Sequence, residues 1–121
     1  MKNILIVDDE PAMHELYRDM FSLAQDRYDI EIQFDAAEAL VRAHQKKFDL
    51  IILDIIMEPM AGDSLLVYLR KDSQTKDIPV LIASALNPAI LRTLQTINHL
   101  TIIQKPFKAK DLFENLDRIL N

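Results

Sequence analysis

Ile4-Leu5-Ile6-Val7-Asp8-Asp9 begins the readable pattern of this chain, and Leu50-Ile51-Ile52-Leu53-Asp54 repeats its form. Two further runs match it, Val80-Leu81-Ile82-Ala83 before Ser84 and Ile102-Ile103-Gln104 before Lys105. Short β-branched runs of this length read as buried strands, and near-continuous apolarity fits a parallel sheet covered on both faces. Ligands of such sheets bind in the crevice beyond the carboxyl ends of the strands. The pattern therefore places three carboxylates, one hydroxyl and one ammonium along a single edge. Carboxylates crowded in one crevice raise each other's pKa unless a cation joins them. Oxygen donors suit a hard ion such as Mg²⁺. A carboxylate can also act as a nucleophile towards phosphorus. The edge reads as a site for a divalent metal and a phosphoryl group, with Lys105 adding positive charge and Ser84 a hydrogen bond.

Around these runs, strands and helices alternate without a linker or repeat. Strands are expected at 3–7, 29–34, 49–54, 78–83 and 100–104. Asp9-Glu10-Pro11 opens a first helix, with Pro tolerated in the first turn and acids favoured there. Met13, Leu16, Tyr17, Met20 and Phe21 form its apolar face. Asp35 with Glu38 has the form of a capping box for a helix to about Lys47. A loop at 55–62 holds Pro59 and Gly62, and a third helix covers 63–72. Asn87-Pro88 reads as cap and first residue of a helix to Ile97. The last helix covers 108–120. This is an α/β chain, a (βα)₅ doubly wound sandwich of the flavodoxin-like kind with parallel strand order 2-1-3-4-5. In that order strands 1 and 3 are neighbours, so Asp8, Asp9 and Asp54 converge.

The 121 residues make one domain, 1–121, large enough for a real core. There are no cysteines, which excludes disulfides and thiolate metal sites and fits a reducing compartment. No run approaches the roughly 18 apolar residues that cross a bilayer. The N-terminus lacks the form of a signal peptide. Net charge of −5 argues against nonspecific nucleic-acid binding. The one glycine, Gly62, excludes both a dinucleotide fingerprint and a P-loop, which need glycine-rich turns. His14, His44 and His99 are scattered and read as surface or helix-face residues. Met57 and Met60 read as loop packing, and Lys46-Lys47 as a solvated helix end.

Over nearly its whole length the chain resembles the receiver domain of two-component response regulators. The matching segments are Ile4 to Pro11, Leu53-Asp54-Ile55-Ile56-Met57 with Pro59-Met60-Ala61-Gly62, Ala83-Ser84-Ala85, and Gln104-Lys105-Pro106-Phe107. The resemblance implies that Asp54 takes a phosphoryl group from a histidine kinase or histidine phosphotransfer protein. It implies that Asp8, Asp9, Asp54 and the backbone carbonyl of Ile56 hold Mg²⁺, and that Ser84 and Lys105 contact the phosphoryl group. A cis Lys105–Pro106 peptide and a cytoplasmic location follow from it too. Output would pass through the face of helix 87–97, strand 5 and the last helix, to a downstream protein or output domain. A phosphorylation-dependent homodimer is among the outcomes. No nucleic acid or membrane is implied for these residues.

Four features depart from the family pattern. Pro59 falls one place late, with Glu58 at the usual proline position. Ile102 stands where the family's switch aromatic falls, so a Ser–aromatic coupled switch cannot work in its usual form. Asn98-His99 replaces a Gly-Ala pair before strand 5. Ile56 and Leu86, two residues after Asp54 and Ser84, are both apolar. Two rival functions are weaker. An aspartate-nucleophile phosphatase of the haloacid-dehalogenase kind needs Asp-x-Asp after the first strand, where this chain has Asp-Asp-Glu. A pseudo-receiver scaffold would lack Asp54, Lys105 or the acid pair, and all are present.

Overall fold

The computed structural model describes residues 1–56, 62–85 and 99–121. Within these, five strands form one parallel sheet: β1 (Lys2–Val7), β2 (Tyr28–Gln33), β3 (Leu50–Leu53), β4 (Val80–Ser84) and β5 (Leu100–Gln104). Their order is β2-β1-β3-β4-β5, as the flavodoxin-like reading expects. Helices are α1 (Pro11–Ser22), α2 (Ala36–Gln45), α3 (Gly62–Lys71) and α4 (Ala109–Leu120). The expected helix at 87–97 lies outside the described residues, as do Met57, Glu58, Pro59, Met60, Leu86 and Asn98. Boundaries fall within two residues of expectation. One shift matters: Ser84 ends strand β4 itself, rather than following it.

The pleat sorts the strand residues into two cores, because successive side chains point to opposite faces. Ile4, Ile6, Leu50, Ile52, Leu81, Ala83 and Ile103 pack with Tyr17, Met20 and Phe21 of α1 and Leu112 and Leu116 of α4. Leu5, Val7, Ile51, Leu53, Val80 and Ile82 pack with Ala36, Ala39 and Ala43 of α2 and Leu65, Leu66 and Leu69 of α3. Both faces of the central strands are thus covered, which is why those strands read as continuous apolar runs. Strand β2 lies at the edge and is half-exposed, which explains its alternating sequence.

Local signals account for the helix starts. Asp35 caps α2, its Oδ1 accepting from the Glu38 N–H at 2.7 Å. Pro11 takes the first position of α1, where its missing N–H costs nothing. The inward face of α1 differs from expectation: His14 is buried and Leu16 is 39% exposed. His14, Tyr17 and Phe21 recur at spacings of three and four, so the imidazole belongs to the buried stripe.

Candidate functional site

Asp8, Asp54 and Lys105 each follow, by two residues, a strand residue of the α1–α4 core: Ile6, Ile52 and Ile103. A period of two keeps them on that side of the sheet. They meet at the carboxyl ends of β1, β3 and β5. Lys105 Nζ donates to Asp8 Oδ2 at 2.8 Å and to Asp54 Oδ2 at 3.4 Å, and lies 4.0 Å from Glu10 Oε1. Asp8 and Asp54 are almost fully buried.

Each carboxylate is also held by backbone. Asp8 Oδ1 accepts from the Glu10 N–H at 2.9 Å, and the Asp8 N–H donates to the Gln33 carbonyl at 3.2 Å. Asp54 Oδ1 accepts from the Ile56 N–H at 3.1 Å, and the Asp54 N–H donates to the Val7 carbonyl at 3.0 Å. Ser84 is fully buried, and its carbonyl accepts from the Lys105 N–H at 2.8 Å, which ties the ends of β4 and β5 together. The Lys105–Pro106 peptide is cis, as the resemblance implies.

Charge balance follows from this packing. Burial pushes the Asp54 carboxyl above its ordinary value; Lys105 pulls it back, Asp8 pushes it up again, and the Ile56 N–H lowers it. Ionised Asp54 is therefore costly, and its folded state releases the proton at higher pH than the unfolded chain does. Burial alone would lower Lys105, but its bond to Asp8 and the charges of Asp8, Asp54 and Glu10 outweigh this and raise its pKa. The Tyr17 phenol beneath the site is raised by burial first, then by the Asp8 and Asp54 charges.

Asp8, Glu10 and Asp54 offer carboxylate oxygens within 4.8 Å of one another. An all-oxygen, all-anionic donor set fits a hard divalent cation such as Mg²⁺. Glu10 enters this cluster where the sequence reading used it only as a helix opener. Asp9, expected as a ligand, is half-buried and lies outside this group of three. The Ile56 side chain is 55% exposed, so it stands at the mouth of the site. Ile102 packs, partly buried, against the α2–α3 core.

Beside Glu10, the roles of His14 and Gly62 went unread in the sequence. The ring nitrogen Nε2 of His14 donates to the Asp8 carbonyl; the stripe through Tyr17 and Phe21 was the signal for it. Gly62 N–H donates to the Ile55 carbonyl at 3.0 Å, seating the start of α3 on the Asp54 loop. Its scarcity served to exclude other folds, but it also marks a close approach.

Comparison with known proteins agrees with this geometry. The family model "Response regulator receiver domain" matches residues 4–117. The DNA-binding dual master transcriptional regulator RpaA of Synechocystis is 37% identical over 86 residues, covering 71% of this chain and 35% of RpaA. The chemotaxis protein CheY4 of Vibrio cholerae is similar in structure, with a TM-score of 0.88 and 28% identity over 99% of both chains. The receiver domain of sensor histidine kinase PA1611 from Pseudomonas aeruginosa, solved with a magnesium ion in its active-site cleft, shares the fold at a TM-score of 0.88 and 22% identity, over 98% of this chain and 97% of that one. The chain spans between 7% and 53% of the length of the first curated relatives it matches. No described helix is long and apolar enough to cross a membrane. With its parallel sheet, its acidic cluster and its match over residues 4–117, the chain belongs to the response regulator receiver domain family, a signalling class of two-component systems and not a class of enzymes.

Proposed function

We propose that this chain is a phosphoryl-accepting switch in which Asp54 is the acceptor. The observation that carries this reading is the Lys105 ammonium placed between Asp8 and Asp54, at 2.8 and 3.4 Å, at the carboxyl edge of the sheet. The acceptor oxygen attacks phosphorus, the P–N bond of a phosphohistidine donor breaks, and its electron pair returns to the imidazole. Transfers of this kind need mainly positioning and charge neutralisation. Lys105 would neutralise a phosphoryl oxygen, and Ser84 would hydrogen-bond another. Asp8, Asp9 and Asp54, with the Ile56 carbonyl, would hold Mg²⁺, and Glu10 joins that set from the structure. Bound Mg²⁺ supplies further neutralisation of the phosphoryl charge.

The donor would be a histidine kinase or histidine phosphotransfer protein. An apolar groove of about 190 Å³ is lined by Met13, Leu16, Ala85, Pro106 and Phe107. Lys105 lines it as well, so the groove lies beside the phosphoryl site and suits an apolar side chain of the docked donor. Output would leave through residues 87–97, β5 and α4, to a downstream protein, an output domain or a second copy, in the cytoplasm. Intact-mass measurement after incubation with acetyl phosphate and Mg²⁺ tests the reading. A phosphoryl adduct on the wild type and none on Asp54→Asn is expected. An equal adduct on both would overturn it.

A further inference from the structure

We infer that His14 is a positioning residue for the acid pair, fixing the Asp8–Asp9 peptide through its bond to the Asp8 carbonyl. This rests on the phosphoryl-acceptor reading only for its consequence, not for its geometry.

All four polar atoms of Asp8 are engaged. The N–H goes to Gln33, Oδ1 to the Glu10 N–H, Oδ2 to Lys105, and the carbonyl to His14 Nε2. Three of these hold the residue's amide and carboxylate. Only the fourth holds the carbonyl, and that carbonyl belongs to the peptide joining Asp8 to Asp9. A change in the Asp8 ψ angle swings this carbonyl and the rest of Asp9 together relative to the Asp8 side chain, because the peptide unit is rigid. His14 is therefore placed to set the angle between the two acids.

The imidazole is itself held. It is 2% exposed, and the Phe34 ring lies against it with centroids 4.4 Å apart at 57°. Phe34, just after β2, keeps its outer face in solvent and lays its inner face on the imidazole. Because the acceptor is a carbonyl, Nε2 must carry the proton. The tautomer is fixed by the contact. Groups that orient metal-holding residues from behind commonly change metal affinity about 10- to 100-fold when removed.

The test compares wild type with His14→Leu, which deletes the donor, and His14→Gln, whose amide N–H can reach the same carbonyl. Two quantities are read. The first is the Asp8 carbonyl ¹³C resonance of the metal-free protein, which moves upfield when the hydrogen bond is lost. The second is Mg²⁺ affinity by calorimetry. His14→Leu is expected to move the resonance upfield and weaken Mg²⁺ about tenfold, while His14→Gln stays within about twofold of wild type. A folded His14→Leu with both quantities unchanged would overturn the inference. So would equal losses in the Leu and Gln variants, which mark a packing role only. If wild type takes up no Mg²⁺, the metal reading under the proposed function fails, and the carbonyl resonance alone decides the role of His14. If His14→Leu does not fold, Phe34→Ala replaces it: an upfield Asp8 carbonyl supports the inference, and an unmoved one contradicts it.

Discussion

Gly62 packs directly on the backbone of Asp54: a Cβ at Gly62 would lie 2.1 Å from the Asp54 carbonyl oxygen and 2.8 Å from Ile55 Cα. The atoms in the way are backbone, so no side-chain rotation relieves the clash. The sole glycine of the chain is thus required by space at the start of α3. Gly62→Ala should destabilise the fold by about 2 kcal/mol, the usual cost of overpacking. It should also slow acetyl phosphate uptake, because α3 can yield only by shifting the Asp54 backbone. Urea unfolding and a phosphorylation time course check this; a variant with the wild-type midpoint and rate would refute it.

Lys105 is the only described cation between Asp8 and Asp54, and its side chain is 10% exposed. Lys105→Met should cost about 3 kcal/mol, because two nearly buried carboxylates lose their counter-charge. Added Mg²⁺ should raise the urea midpoint of Lys105→Met more than that of wild type. An equal rise in both would mean that ammonium and metal do not share the same field.

His99 adopts φ 60°, in the left-handed region. Its carbonyl accepts from the Val80 N–H at 2.9 Å and from Arg70 Nη2 at 3.2 Å, which holds it there. A side chain in this conformation costs about 1 to 2 kcal/mol. Its contact with Asp77, at 3.7 Å between exposed groups, returns little. His99→Gly should stabilise the chain by about 1 kcal/mol, read as a higher urea midpoint. A lower midpoint would show that the imidazole contributes more than the strain removes.

His44 bridges α2 to the loop after α3. Both ring nitrogens face acceptors, Leu40 O at 2.8 Å and Asp72 Oδ2 at 2.9 Å, so only the imidazolium can donate to both. The Leu40 carbonyl and then Asp72 raise its pKa above the ordinary 6.5. A raised folded pKa gives stability that is full below the unfolded value and is lost as pH rises through the folded one. The stability difference between wild type and His44→Gln should therefore be largest at pH 6 and shrink towards pH 8.5, by about a few tenths of a kcal/mol for so exposed a pair. A difference that does not change with pH would contradict the assignment.

The sheet was legible because Leu50 to Leu53 and Val80 to Ala83 are buried on both faces and carry no polar residue. Asp54 and Lys105 were legible because they interrupt that apolarity at its end. Glu10 and His14 were not. Both lie past the strand, where a loop and the first turn of a helix decide their direction. His14 was passed over because an imidazole in an apolar stripe has no spacing that marks a ligand. The role of Gly62 was hidden for a different reason: a close approach between α3 and the Asp54 backbone leaves no periodicity in the sequence.

Asp54 itself should carry the phosphoryl group. Protein labelled with acetyl phosphate and Mg²⁺ can be reduced with borohydride, which converts an aspartyl phosphate to homoserine and a glutamyl phosphate to 5-hydroxynorvaline, and then mapped by peptide mass spectrometry. Homoserine is expected at position 54, with Asp8, Asp9 and Glu10 unchanged. Homoserine at Asp8 or Asp9, or 5-hydroxynorvaline at Glu10, with Asp54 intact, would overturn the assignment.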